Sequence, residues 1–218
     1  MFSLHALAVV IPFFLPAFGQ FTQVCDPGNG LCFNQAFDEA TKSTFGFTLP
    51  TKGTFSDDFI ARVVTPLPYG FVGFGIGNTG EIPQLSIDGL MTQFTSPGPI
   101  GALQTAMLIQ QTVLSADGTQ LVPTPSGGRV TVSKLSTWND TWATFVFRCQ
   151  NCSQAVPVDD NFNIVVFQSY ELPIYATPDA LNATVNTAAA EISGFTISNI
   201  SALTSTNYAS YLNAAGFV

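Results

Sequence analysis

The sequence predicts an all-β protein, built as a sandwich or a barrel. Its 218 residues are 46% hydrophobic but only 9% charged, and 20 of them are phenylalanine. Short runs rich in Phe, Val, Ile and Thr are separated by Gly, Pro, Asn and Asp, as expected for strands joined by turns. Some runs alternate with period two, so that Ala143, Phe145 and Phe147 share one strand face. Many short strands at such spacing are typical of sandwiches and barrels.

Ten strands are predicted, each bounded by turn-forming residues. In chain order they span 31–37, 44–49, 59–65, 69–76, 84–91, 104–114, 129–135, 141–148, 162–169 and 194–198. The glycine-rich segment 26–30 and the segments 116–118 and 125–128 read as tight turns. Two short C-terminal helices are also predicted. One covers 179–190, after the capping pair Thr177-Pro178, and the other covers 206–214.

The chain divides into residues 1–19, a predicted signal peptide, and residues 20–218, a single domain. Residues 4–14 are almost continuously apolar, and Ala17-Phe18-Gly19 supplies small residues for cleavage. The alternative is an N-terminal membrane anchor, which we do not favour because the apolar run is short for a bilayer. Nothing later in the sequence predicts a membrane span.

The charge balance restricts the partners. Fourteen acidic and six basic residues give a formal net charge of −8. Such a surface repels phosphate, so a nucleic-acid partner is excluded. The scarcity of charged residues is typical of a secreted protein rather than a cytosolic one.

Four cysteines predict two disulfides in an oxidising compartment: Cys25, Cys32, Cys149 and Cys152. Three pairings are open, and we favour the local one, Cys25–Cys32 with Cys149–Cys152. A zinc site or a redox dithiol at Cys149 is the alternative. Zinc lacks histidine partners here, and a redox dithiol lacks its strand-to-helix context.

Four sequons are candidates for N-glycosylation in a secreted eukaryotic protein. Their asparagines are Asn139, Asn151, Asn182 and Asn199. Asn151 lies between two cysteines, so its use would compete with bridge formation.

Four segments carry more specific motifs: FGFTLP at 45–50, FIARVVTP at 59–66, GFVGFGIG at 70–77 and WNDTWATFVFRCQNC at 138–152. Together they resemble the cytochrome domain of fungal cellobiose dehydrogenase, within the wider DOMON group. The resemblance runs from about residue 25 to 197. It implies a two-sheet antiparallel, immunoglobulin-like β-sandwich with haem b at one end, held by Met and His, and a role in extracellular electron transfer.

The sequence departs from this pattern at both ligands. The resemblance places the Met near Gly80 and the His near Ala190. The one histidine of the sequence is His5, inside the predicted signal peptide, and Met91 is better explained as core. We therefore predict no cofactor, with degenerate haem-ligand positions near Gly80 and Ala190, and no metal site.

No catalytic constellation is predicted, so the protein is expected not to be an enzyme. The pairs Asp57-Asp58 and Asp159-Asp160 are interpreted as solvated loop charges, and a Ser–His–Asp site lacks its histidine. The glycines between 73 and 77 lack the helix that a nucleotide fingerprint requires. Trp138 and Trp142, four apart, could form a sugar-stacking pair, although packing within the sheets is the favoured interpretation.

Three functional hypotheses follow. The first is a secreted, haem-less cytochrome-like domain that binds extracellular polysaccharide or cell wall without catalysis. The second is a haem b electron carrier with atypical ligands, serving a secreted oxidoreductase. The third is a structural extracellular glycoprotein.

Overall fold

The computed structural model describes most of the chain after residue 20. The described residues are 21–51, 58–66, 71–78, 89–94, 107–114, 120–123, 129–139, 141–151, 162–169, 174–175, 183–186, 191–197 and 199–217. Within them lie sixteen strands, one α-helix and one 3-10 helix.

The strands of the first half of the chain are β1 (Thr22–Cys25), β2 (Cys32–Asp38), β3 (Ser43–Pro50), β4 (Asp58–Pro66), β5 (Phe71–Asn78), β6 (Gly89–Phe94) and β7 (Met107–Leu114). Those of the second half are β8 (Gln120–Pro123), β9 (Arg129–Val132), β10 (Thr137–Trp138), β11 (Trp142–Gln150), β12 (Phe162–Ser169), β13 (Ile174–Tyr175), β14 (Ala183–Asn186), β15 (Glu191–Ile197) and β16 (Thr204–Ser205). The 3-10 helix spans Ile200–Leu203 and α1 spans Tyr208–Ala215.

The strands form two sheets of eight, and all pairings except one are antiparallel. The first sheet has the order β1-β2-β3-β4-β11-β10, with β9 beside β11 and the short β16 parallel to β3. The second sheet has the order β13-β14-β8-β7-β6-β5-β12-β15. Their long central strands supply the two layers of a β-sandwich.

One face of the first sheet forms the main core. Alternate residues of its central strands are fully buried: Phe45, Phe47, Phe59, Ala61, Val63, Ala143, Phe145 and Phe147. The rings of Phe47 and Phe59 meet edge to face with centroids 6.4 Å apart. Period-two alternation thus places a phenylalanine-rich layer between the sheets, and we call this the inner face.

The opposite face of the first sheet, the outer face, carries a second and smaller core. Helix α1 lies over it, because Tyr208, Tyr211 and Ala215 fall on one side of the helix and are buried. They pack with Leu31, Phe33, Ile60 and Val146 of the sheet and its first hairpin. The helix ends at Gly216, whose left-handed φ of 75° permits the final turn to close.

The predicted strands and the C-terminal helix agree well with the structure. Nine of the ten predicted strands lie within a few residues of an observed one, and the helix predicted at 206–214 is α1. The strand predicted at 84–91 is displaced and appears as Gly89–Phe94. Six short strands were not predicted: β1, β8, β10, β13, β14 and β16.

The helix predicted at 179–190 is wrong where the structure describes it. Residues Ala183–Asn186 form β14, which pairs with β8 through Val185 and Leu121. The segment contains Thr184 and Val185, whose β-branched side chains fit a strand better than a helix. The capping signal at Thr177-Pro178 lies outside the described residues.

Within the part of the chain that is described, no helix has the length and apolar character needed to cross a bilayer.

Candidate functional site

The predicted haem-ligand positions cannot be placed. Gly80 and Ala190 both lie outside the described residues. Met91 is in β6 opposite Gly73, and Met107 begins β7 opposite Phe94. Within the described ranges, no group of three His, Cys, Asp or Glu side chains is arranged to hold a metal ion.

The first hairpin is closed by a disulfide between Cys25 and Cys32, the local pairing that the sequence favours. These residues face each other at the ends of β1 and β2, with the sulfur atoms 2.03 Å apart. The loop between them is ordered by hydrogen bonds from the Asp26 nitrogen to the Leu31 carbonyl, 2.9 Å, and from the Gly30 nitrogen to the Asp26 carbonyl, 2.8 Å. Cys149 is also disulfide-bonded, and Cys152 lies outside the described residues.

This hairpin forms one wall of an open cleft on the outer face, with a volume of about 280 Å³. We call it the outer-face cleft. Its lining is Asp26, Asn29, Leu31 and Phe33 from the hairpin, Arg62 from β4, Leu135 and Thr137 near β10, and Thr144 and Val146 from β11. Apolar walls with a few polar groups between them are the usual composition of a ligand site.

Arg62 occupies the middle of the sheet that forms the floor of the cleft. It lies opposite Val146 on β11 and opposite Gly46 on β3. Among the described residues, Arg62 makes no ion pair and no side-chain hydrogen bond. A partly buried guanidinium with five donors and no acceptor among the described residues is a group available to a ligand.

Two threonines stand beside Arg62 at the other wall. Thr137 and Thr144 face each other across β10 and β11, so their hydroxyls lie on the same surface. Between β9 and β10 the ladder is interrupted. There Ser136 takes part in the pairing through its side chain, donating to the Val146 carbonyl at 3.0 Å and accepting from the Val146 nitrogen at 2.9 Å. This interruption leaves room for Leu135 to line the cleft.

Trp142 extends this surface beyond the cleft. It lies two residues before Thr144 on β11, on the same strand face, and is 43% exposed. Trp138 lies on β10, opposite Ala143, so the two tryptophans occupy neighbouring strands and not one. The favoured prediction, packing within the sheets, is wrong for Trp142, because β11 begins at the hairpin turn that exposes it.

A second polar group lies under α1. Arg148 donates two hydrogen bonds to Asp58, 2.9 Å from Nε and 2.7 Å from Nη2, and the side chains are 16% and 21% exposed. Asp58 is therefore a paired residue of β4, not the solvated loop charge that was predicted. Its neighbour Asp57 and the pair Asp159-Asp160 lie outside the described residues.

The hydroxyl of Tyr208 lies beside this ion pair, in the first turn of α1. It is buried and has no hydrogen-bond partner of normal geometry among the described residues. Burial raises the pKa of Tyr208, and the charge of Asp58 raises it further. The hydrogen bonds to Asp58 raise the pKa of Arg148. The group ties β4, β11 and the helix together, and its paired charges suit a structural role.

Three of the four sequon asparagines are described, and all three are exposed. Asn139 accepts from the Thr141 nitrogen and hydroxyl at 2.8 and 3.0 Å, within the turn that precedes Trp142. Asn199 accepts from the Ser201 nitrogen and caps the 3-10 helix. Asn151 has a left-handed φ of 54°, and Asn182 lies outside the described residues.

Sequence reasoning did not single out the outer-face cleft. Arg62 carries a signal that could have found it, because a charged residue stands within the otherwise apolar run 59–64. The contributions of Asp26, Asn29 and Thr137 depend on the pairing of strands, which the sequence pattern does not specify.

Comparison with known proteins supports the predicted resemblance. Residues 24–87 match the family model described as the cytochrome domain of cellobiose dehydrogenase. The cytochrome b domain of pyranose dehydrogenase from Coprinopsis cinerea is 20% identical with a TM-score of 0.69, covering 89% of this chain and 95% of that chain. The cytochrome domain of Myriococcum thermophilum cellobiose dehydrogenase is 16% identical with a TM-score of 0.67, covering 90% of this chain and 97% of that chain. The predicted β-sandwich and its likeness to these cytochrome domains are confirmed, and at these identities the structural matches show the fold.

Proposed function

We propose that this chain is a secreted, haem-less relative of the cellobiose dehydrogenase cytochrome domain that acts as a non-catalytic binding module for extracellular polysaccharide or cell wall. The observation that carries the proposal is the absence of histidine after His5. A b-type haem in this family pattern needs one His and one Met as axial ligands, and haem iron draws its protein ligands from a short set of residue types.

The residues present do not fit that group. None of the described residues is histidine, and their two methionines, Met91 and Met107, lie within the paired strands β6 and β7. No step is therefore assigned to haem in this chain. Secretion, removal of residues 1–19 and glycosylation at Asn139, Asn151, Asn182 and Asn199 belong to the same proposal, which the exposure of three of these asparagines supports.

The second candidate function is electron transfer through haem b with atypical ligands, for a secreted oxidoreductase. The likeness of the whole fold to two cytochrome domains favours it. The two candidates differ in a property that is measured directly, namely the absorption of the protein in visible light.

The test is a UV–visible spectrum of the secreted protein, expressed with haem supplied and then reduced with dithionite. We expect no Soret band and no α or β bands after reduction, because the His–Met ligand pair is missing. Addition of hemin to the purified protein, followed by gel filtration, should leave the protein fraction colourless. A Soret band that stays with the protein, with sharp α and β bands on reduction, would establish the second candidate instead.

A further inference from the structure

We propose that the outer-face cleft, continued by Trp142, is a binding site for a neutral oligosaccharide. This inference rests on the proposed function, because it names the ligand class and the surface of that binding module. The site involves six residues: Asp26, Asn29, Arg62, Thr137, Thr144 and Trp142.

The mixture of polar groups in the cleft suits hydroxyls. Asp26 only accepts hydrogen bonds, Arg62 only donates them, and Asn29, Thr137 and Thr144 can do both. A sugar hydroxyl is itself donor and acceptor, so a hydroxyl-rich ligand can satisfy all of these groups at once. A purely apolar ligand would leave the Arg62 guanidinium desolvated and unpaired, which costs free energy.

Two of these groups are already oriented by the hairpin. Asp26 accepts from the Gly28 nitrogen at 2.7 Å, and Asn29 accepts from the Leu31 nitrogen at 2.9 Å. Each of these bonds uses one side-chain oxygen. The second oxygen of Asp26 and the amide nitrogen of Asn29 make no hydrogen bond to a described residue, and both groups are held in a loop closed by a disulfide. Such preorganisation lowers the entropic cost of binding.

Charge argues for a neutral ligand rather than an acidic one. The chain carries a formal charge of −8, and a carboxylate, Asp26, lines the same cleft as Arg62. A polyanionic glycan would be repelled both by the net negative charge of the chain and by the Asp26 carboxylate. A neutral oligosaccharide avoids both repulsions and still accepts hydrogen bonds from Arg62.

Trp142 provides the apolar surface that a sugar ring requires. Its side chain is 43% exposed and follows Thr144 on the same face of β11, roughly 7 Å along the strand. An exposed tryptophan beside polar groups is a typical binding hot spot. The cleft of about 280 Å³ is near the lower end of ligand sites, so it would hold the end of a chain whose next unit lies on Trp142.

The experiment titrates the secreted full-length protein with four hexasaccharides and follows heat and tryptophan fluorescence. Three are neutral, from β-1,4-glucan, β-1,4-xylan and chitin, and the fourth is an anionic oligogalacturonate. We expect at least one neutral hexasaccharide to bind, and Trp142→Ala and Arg62→Met each to weaken it about tenfold or more.

Two matched variants serve as controls. Phe37→Ala removes another exposed aromatic from the first sheet, 54% exposed and outside the cleft lining. Arg129→Gln removes one positive charge at an exposed position of β9. Both should bind within about twofold of the parent, since neither lines the cleft.

Three outcomes would overturn the inference: no neutral hexasaccharide binds, only oligogalacturonate binds, or binding is unchanged in both cleft variants. Circular dichroism and the unfolding midpoint of each variant separate a lost contact from a lost fold. If no neutral hexasaccharide binds but the visible spectrum is flat, the oligosaccharide inference fails while the proposal of a haem-less domain stands. A protein with a Soret band that still binds a neutral hexasaccharide through Trp142 would lose the proposed function but keep the site.

Discussion

At the scale of single residues, the group Arg148, Asp58 and Tyr208 shows how polar atoms are accommodated beneath a helix. The two charges satisfy each other with two hydrogen bonds at 2.9 and 2.7 Å, whereas the tyrosine hydroxyl stays buried without a partner among the described residues. A buried pair is costly to break because the remaining charge is left alone. An unpaired hydroxyl, in contrast, costs little to remove.

Tyr208→Phe tests this difference. At pH 7 we expect the free energy of unfolding to change by less than about 1 kcal/mol, because the deleted hydroxyl has no hydrogen-bond partner of normal geometry among the described residues. Above pH 10 the parent should lose stability relative to the variant. The unfolded tyrosine ionises near pH 10 while the folded one, whose pKa is raised, holds its proton to higher pH, so the slope of the loss has an upper limit of about 1.4 kcal/mol per pH unit.

The measurement is urea unfolding of both proteins at pH 7, 9, 10 and 11. The stability that the raised pKa represents is fully present below pH 10 and is lost as the pH rises toward the folded value. Parallel pH profiles for parent and variant would show that Tyr208 titrates alike in the folded and unfolded chains.

At the scale of elements, the close approach of β2 and β3 depends on one glycine. A β-carbon added at Gly46 would lie 3.0 Å from the Phe33 β-carbon and 3.2 Å from that of Gln35. Phe33 packs in the smaller core on the outer face and also lines the outer-face cleft. The contact at Gly46 therefore affects both the pairing of β2 with β3 and the wall of the cleft. Because both neighbours are β-carbons, they can move only with their backbones.

Gly46→Ala should therefore destabilise the protein by about 1–3 kcal/mol through overpacking. Gly28→Ala is the matched control, since its added β-carbon would meet only the end of the Asp26 side chain, at 3.3 Å. That exposed position should change stability by no more than about 0.5 kcal/mol. Thermal unfolding of both variants against the parent decides the matter. Equal midpoints for the two variants would contradict the close contact.

The elements also show what the sequence could and could not predict. Alternating apolar residues identify a long strand such as β11, whose Ala143, Phe145 and Phe147 all point to the inner face. The two-residue strands β10, β13 and β16 carry no period of their own and exist only through their partners. At 183–186, a partner strand overrides a capping signal several residues away.

The candidate site, like the short strands, depends on strand pairing that the sequence does not specify. The chemistry of Arg62 and Trp142 can be read from residue type, but the two lie eighty positions apart and share one face of the sheet only because β4 pairs with β11. Trp142 pairs with Pro66 and Val146 with Arg62, a register that residue periodicity leaves undetermined.

At the scale of the whole molecule, the Cys25–Cys32 disulfide contributes both to the stability of the fold and to the shape of the cleft. The bridge joins residues seven positions apart, and such a short loop contributes about 2–3 kcal/mol by the chain-entropy estimate. The double variant Cys25→Ser, Cys32→Ser should lower the free energy of unfolding by that amount. It should also weaken binding at the outer-face cleft, because the closed loop carries Asp26 and Asn29.

Guanidinium unfolding and the hexasaccharide titration measure the two effects on the same samples. The Phe37→Ala protein, whose disulfide is intact, provides the reference for a neutral change elsewhere on the sheet. An unchanged unfolding midpoint would mean that the hairpin is held by its other contacts. Unchanged affinity would mean that the loop keeps its shape without the bridge.

Under the proposal above, binding at the outer-face cleft depends on the redox state of the surroundings, because a disulfide closes one of its walls. With the two thiols reduced, the loop that carries Asp26 and Asn29 would lose its covalent closure, and binding at the cleft would be weaker. Oxidation in a disulfide-forming compartment would close the loop and fix that wall of the cleft.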